Sequence, residues 1–220
     1  MIQTSINNAE IKREIRMTNL NTYEIKNTNN QVIFSDKFNS FKDCVEAAVS
    51  RKINLEGANL QDANLENADL RFANLEGANL QDANLEGANL NYANLEGANL
   101  EGTNLNYANL EGANLNYANL YKSNLEGANL YKSNLENSNL EGAELYKCNL
   151  EHANLQDANL KGANLRYVNL QGAYLQGAYL YKCNLQGANL QDANLQGAYL
   201  QDANLQDANL EGAKLANVKF

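Results

Sequence analysis

The sequence predicts an all-β solenoid, a square β-helix of about eight coils preceded by a small hairpin-plus-helix cap. Three observations predict it. Leucine occupies every fifth position from Leu55 to Leu215, thirty-three times without a miss, and Phe220 takes the next slot. Two residues before each slot sits a small side chain, alanine at 25 of 34 positions. Thr103, Ser123, Ser133, Ser138, Cys148 and Cys183 fill six more, and only Ile53, Val168 and Val218 are larger. No insertion or deletion breaks the phase between residues 53 and 220.

A period of five fits neither standard element. On a helix, successive leucines would step by about 140° and leave no apolar stripe. On a straight strand, an odd period would send alternate leucines to opposite faces. The pattern becomes self-consistent if the chain turns a corner once per repeat. Alanine and leucine then both face inward on a short extended stretch, the residue between them (mostly asparagine) faces out, and the next two residues make the corner. Glycine, asparagine and aspartate recur there, as in Glu56-Gly57 and Gln61-Asp62, and they suit a turn position that needs positive φ. Four corners close a square, so one coil takes twenty residues. At ~4.8 Å between strands the rod is about 40 Å long.

The elements ahead of the repeats follow ordinary rules. Tyr23–Lys26 and Gln31–Phe34 flank Asn27-Thr28-Asn29-Asn30 and predict a β-hairpin. Ser40 and Asp43 have the spacing of a helix N-cap. Phe41, Cys44, Val45, Ala48 and Val49 recur at helical spacing, an amphipathic helix of about twelve residues. It runs directly into Ile53 and is expected to lie over the first coil, because an uncovered solenoid end exposes its core and strand edges. The boundary divides 1–52, the hairpin and capping helix, from 53–220, the β-helix. Residues 1–20 receive no assignment beyond the alternation and charge of Met1 to Met17, which exclude a signal peptide.

Runs such as Ala58-Asn59-Leu60-Gln61-Asp62 and Ala88-Asn89-Leu90-Asn91-Tyr92 resemble the pentapeptide-repeat family, whose motif is Ala-(Asp/Asn)-Leu-X-X. The resemblance covers about three quarters of the chain. It implies a right-handed quadrilateral β-helix with columns of leucine and alanine inside. Some members of that bacterially widespread family, those conferring fluoroquinolone resistance, bind DNA gyrase as mimics of DNA. This chain lacks the loop insertions and the C-terminal dimerisation helix of those relatives.

Composition argues against catalysis. The chain has one histidine, His152, no tryptophan and no proline, and general acid–base work leans on histidine. His152 falls at a corner and reads as a surface residue. Cys148 and Cys183 occupy the alanine slot and point inward, while Cys44 belongs to the predicted helix; none reads as a ligand or nucleophile. No phosphate loop, nucleophile elbow or calcium signature is present. The expectation is no enzyme, no cofactor and no metal. No apolar stretch approaches the ~20 residues of a membrane span, so the expected compartment is the cytoplasm.

The surface is what remains. Residues 1–52 carry eight basic and six acidic side chains, and 53–220 carry nine and twenty. Ten of those acids lie between 53 and 120, opposed only by Arg71. Residues twenty apart stack, which puts Glu56, Glu76 and Glu96 in one column and Glu66 and Glu86 in another. Duplex DNA has one charge per ~1.7 Å, a density the acidic half approaches. Two functions are therefore expected: a scaffold binding another protein, or a DNA mimic occupying a type II topoisomerase through those five glutamates. Net acidity excludes direct nucleic-acid binding. At the other end Leu215, Val218 and Phe220 form an uncovered surface, expected to pair tail to tail with a second copy. The four Tyr-Lys pairs (Tyr121-Lys122, Tyr131-Lys132, Tyr146-Lys147 and Tyr181-Lys182) fall on three different faces and are not expected to form one site. Tyr179 and Tyr199 share an outward column.

Overall fold

A computed structural model describes residues 20–220. The reading of Met1 to Met17 lies outside them. Strand β1 (Asn21–Lys26) and strand β2 (Val32–Phe38) form an antiparallel hairpin, with Asn21 opposite Phe38 and a register shift between Ile25 and Lys26. The turn is tied by Asn27, whose Oδ1 accepts the amides of Asn29 (3.0 Å) and Gln31 (2.9 Å). The hairpin is longer than predicted, because Ser35–Phe38 pair with Asn21–Glu24 although they carry little apolar signal.

Helix α1 (Phe41–Ser50) follows. Ser40 is its N-cap, accepting the Asp43 amide at 3.1 Å, which satisfies a donor that the first helical turn leaves unpaired. The helix stops at Ser50, short of the predicted twelve residues, because Lys52 enters the left-handed region at φ 58° and Ile53 donates back to Ala48 O at 2.9 Å. Cys44, Val45 and Ala48 are its buried residues.

From residue 53 onward the five-residue pattern becomes geometry. Parallel bridges join each outward residue to the one twenty further on, from Asn59–Asn79 to Tyr199–Lys219. The bonding is regular: Asn79 N donates to Ala58 O (2.9 Å), and Leu60 N to Asn79 O (2.7 Å). Each corner is closed by an alanine-slot amide donating to the leucine carbonyl three residues earlier, as Ala58 to Leu55 at 3.0 Å. The last corner residue has positive φ at every corner from Gly57 to Asn217, the signature of a type II turn. The alanine-slot residues and leucines are buried up to Leu200. Alternate leucines therefore share one interior, as the corner argument requires.

The slot's tolerance for small polar residues has a visible cause. Ser123, Ser133 and Ser138 donate to the leucine carbonyl three residues back, at 2.6–2.8 Å. Thr103 donates to Leu80 O in the preceding coil at 2.8 Å. A buried hydroxyl with a partner avoids the cost of an unsatisfied donor.

The corners depart from the prediction in one respect. Tyrosine, lysine, phenylalanine and histidine occupy the positive-φ position too, between 53° and 61°. The inter-coil hydrogen bond made by that residue's own amide fixes the backbone, so φ alone does not select glycine. At some corners space does. A Cβ on Gly112 would meet the Tyr92 ring at 2.5 Å, and one on Gly187 the Tyr167 ring at 2.7 Å, because the side chain one coil earlier leans over it. At Gly57, Gly77, Gly97, Gly162 and Gly197 nothing lies within 4 Å of a Cβ.

The hairpin and helix touch the first coil. Asn27 pairs antiparallel with Ala58. Lys42 Nζ donates to Glu66 O (3.2 Å), and the Glu46 carboxylate accepts the Asp69 amide (2.8 Å). At the other end Leu205 and Leu210 are half-buried, and the amides of Leu205, Leu210 and Leu215 have no backbone partner among the described residues.

Candidate partner-binding faces

Four sides and four corners order the surface. The first side carries Leu55 and Leu75, the second Leu60 and Leu80, the third Leu65 and Leu85, the fourth Leu70 and Leu90, each repeating every twenty residues. The corner after each leucine carries two exposed columns.

Glu56, Glu76 and Glu96 stack at the corner after the first side, in register through Gly57 N to Glu76 O and Gly77 N to Glu96 O, both 2.8 Å. Glu66 and Glu86 stack after the third side, linked by Asn67 N to Glu86 O at 2.8 Å. The two columns are ten residues apart, on opposite corners, so the five glutamates do not form one patch. The sequence argument also missed what makes like charges tolerable there. Asn94 Nδ2 donates to Glu76 (3.2 Å), Asn104 to Glu86 (3.2 Å) and Asn114 to Glu96 (3.1 Å). Each carboxylate is met by an amide of the next coil, a charge-assisted bond stronger than a neutral one.

Those asparagines form ladders. Asn114 Nδ2 donates to Asn94 Oδ1 and Asn119 Nδ2 to Asn99 Oδ1, both at 3.1 Å. Each ladder oxygen also accepts the amide two residues on, as Asn119 does from Tyr121 at 3.2 Å. Asparagine recurs because its short amide supplies both a donor to the coil behind and an acceptor for its own turn. The spacing of twenty could have revealed this; the outward orientation masked it.

Leu215 is 40 % exposed and Phe220 74 % exposed, with Val218 half-buried beside them. Next to this end, Tyr179 and Tyr199 stack at 4.9 Å between centroids, and Lys219 Nζ lies 2.8 Å from the Tyr199 hydroxyl. The outward tyrosine column is thus an internal ladder. Phe72, 71 % exposed, stacks on Tyr92 at 5.5 Å and walls a groove beneath α1 with Val49, Ser50 and Arg71.

The titratable groups reflect their surroundings. Burial pushes the Cys148 and Cys183 thiols up to about 12, so they stay protonated and unreactive. The Arg71 guanidinium holds the Asp69 carboxyl below its usual range, and the Lys161 ammonium does the same to Glu141. His152 sits on the surface, its ring edge-on to Tyr131 at 6.1 Å. Among the described residues no group of three His, Cys, Asp or Glu is arranged to hold a metal ion, and no helix is long and apolar enough to cross a membrane.

The Tyr-Lys pairs are better connected than the sequence suggested. Tyr121-Lys122 and Tyr181-Lys182 lie at the corner after the second side, and Tyr146-Lys147 at the corner after the third. Three of the four therefore border the third side.

Compared with curated proteins, the chain has no match. Several solved structures are similar. One is HetL, a pentapeptide repeat protein involved in heterocyst differentiation regulation from the cyanobacterium Nostoc sp. strain PCC 7120, with 33 % identity over 73 % of this chain and 86 % of that one, TM-score 0.39. A second Nostoc PCC 7120 pentapeptide repeat protein has 44 % identity over 34 % and 62 %, TM-score 0.34. QnrB1, a plasmid-mediated fluoroquinolone resistance protein, has 19 % identity over 73 % and 87 %, TM-score 0.40. The family model of pentapeptide repeats matches in eight copies, over residues 53–91, 68–106, 93–131, 108–145, 143–180 and 183–220. With nearly all of the region from 53 onward matched, the chain belongs to the pentapeptide-repeat family.

Proposed function

We propose that this chain is a non-catalytic scaffold whose flat sides bind another protein, with residues 1–52 capping the rod formed by 53–220. The observation that carries the reading is the distribution of charge: ten acids against Arg71 between 53 and 120, set in exposed columns on a rigid backbone. A rod with its apolar residues inward offers partners only its surface, and a fixed charge array favours recognition at low ordering cost. The test is an affinity capture from the native cell with the intact chain and with Glu56→Gln, Glu76→Gln and Glu96→Gln combined. A partner retained by the first and lost by the second supports the reading; identical captures contradict it.

One observation favours a more specific partner. Ten acids against Arg71 between residues 53 and 120 put nine net charges on about 16 Å of rod, a density that approaches the one charge per ~1.7 Å of duplex DNA. In this second reading the acidic half occupies the DNA site of a type II topoisomerase. Supercoiling by purified gyrase is then inhibited at micromolar protein, and the triple glutamine variant relieves it. Unchanged supercoiling contradicts this reading while leaving the scaffold untouched. The exposed Leu215 and Phe220, with half-buried Val218 beside them, support tail-to-tail pairing of two copies, which Phe220→Asp should abolish in sedimentation.

A further inference from the structure

The third side is acidic over its first coils and basic over the following ones, before Asp202 and Asp207 border its last coil. Over residues 61–107 its two bordering corners hold Asp62, Glu66, Asp82, Glu86 and Glu101, with no cation among them. Over residues 121–187 the same corners hold Lys122, Lys147, Lys161, Arg166 and Lys182 against Glu126 and Glu141, with Glu144 on the side between them. The reversal falls on one continuous side, because residues twenty apart are bridged throughout it, from Asn64–Asn84 to Asn184–Asn204. It stands out on a rod whose repeats carry twenty acids and nine bases.

Among the described residues most of these charges have no ion-pair partner, and the carboxylates of Glu66, Glu86 and Glu101 are met only by asparagine amides. Among the described residues, the ion pairs involve Lys26, Arg51, Arg71, His152 and Lys161. None includes the five acids, nor Lys122, Lys147, Arg166 or Lys182. Lys161 is the exception, 3.0 Å from Glu141. The others rest on aromatic rings: Lys122 Nζ is 4.9 Å from the Tyr121 centroid, Lys147 5.0 Å from Tyr146, Lys182 4.9 Å from Tyr181, and the Arg166 guanidinium 5.5 Å from Tyr167. A cation laid on a ring keeps its charge and is held close to the surface. Tyrosine beside arginine or lysine is also the composition that gives an interface its anchoring contacts.

We propose that the third side pairs with the third side of a second copy, the two rods lying antiparallel side by side about a two-fold axis, so that the acidic stretch of each meets the tyrosine–lysine stretch of the other. A two-fold axis requires one self-complementary patch, and a side that is acidic over one stretch and basic over the next is self-complementary only when antiparallel. In parallel register like charges would oppose each other. The occupant is a second copy because the required charge pattern, at the required spacing, is already present in the chain. The contact is roughly 30 Å long and one side wide, of the order of 1,000 Å² in total, the lower end of specific interfaces. Association at micromolar concentration that weakens with salt is expected. The pairing goes beyond the scaffold reading and does not rest on it, since it leaves the Glu56–Glu76–Glu96 corner free.

The experiment is sedimentation of the full chain with two charge-reversed variants, Glu66→Lys with Glu86→Lys, and Lys147→Glu with Arg166→Glu. All four positions are on the surface, and circular dichroism with a thermal melt checks that each variant is folded. The wild type is expected to dimerise in about 50 mM salt and dissociate in about 500 mM. Each variant alone weakens dimerisation at least about tenfold. Mixing the two variants restores a dimer, because the lysines introduced at 66 and 86 of one copy then face the glutamates introduced at 147 and 166 of the other. A wild type that stays monomeric in low salt overturns the proposal. So does a dimer indifferent to both reversals, the result tail-to-tail pairing through Phe220 would give.

Discussion

Tyr92 lies along the rod over Gly112, and that contact shows what selects the residue at that corner. Gly97 and Gly112 have nearly the same φ, 63° and 64°, but nothing lies within 4 Å of a Cβ on Gly97, whereas the Tyr92 ring occupies that space at Gly112. Gly97→Ala should cost about 1 kcal/mol for its left-handed backbone. Gly112→Ala should cost more, and the excess should vanish in a Tyr92→Ala background, a double-mutant cycle readable by chemical denaturation. Inside the rod, Leu130 is fully buried, and Leu130→Ala should cost ~2–5 kcal/mol through the cavity it leaves; a melt with no destabilisation would place that leucine outside the core. The buried thiols give a pH signature. Folding raises Cys148 and Cys183 from 9.0 to about 12, so above pH 9 the unfolded chain releases protons that the folded chain retains. Stability should therefore be constant below pH 9 from this source and fall as pH rises from 9 towards 12. Replacing both cysteines by alanine should flatten that decline.

At the scale of elements, the asparagine ladders carry as much of the specification as the leucines. Asn119 donates to Asn99 and to the Glu101 carboxylate, accepts from Asn139 at 3.0 Å and accepts the Tyr121 amide, so Asn119→Leu breaks four bonds at a half-buried position. A loss of about 1–3 kcal/mol is expected in the same denaturation assay. Asn119→Asp keeps the acceptor but loses the donor, and should fall between. Much of this fold was legible in the sequence because the leucine and alanine columns are enforced by burial, and burial leaves a periodic trace. The N-terminal elements were legible in kind and less so in extent. Ser35–Phe38 joined a strand through pairing with Asn21–Glu24, a long-range effect without local signal. Helix α1 ended early because Lys52 took a left-handed conformation that its side chain does not announce. The ladder bonds were hidden because an outward asparagine looks the same whether solvated or hydrogen-bonded to the next coil.

For the whole molecule, the same repeat makes a rod and decides how function can be carried. Every coil places two residues at each corner, so a surface property becomes a column and its composition can be counted. That is how the glutamates of the acidic half were found. The same count separates them: Glu66 and Glu86 lie across the rod from Glu56, Glu76 and Glu96, a separation that follows from ten being half of twenty. Three Tyr-Lys pairs meet along one side for the mirror reason, since residues on neighbouring corners border the same side. All of them depend on a coil of twenty residues. Spin labels at cysteines replacing Asp82 and Asp202, in one column and 120 residues apart, measure that coil directly. Six coils at ~4.8 Å predict a single narrow distance of about 29 Å, lengthened only by the label tethers. A broad distribution, or a distance far from that value, would contradict the account.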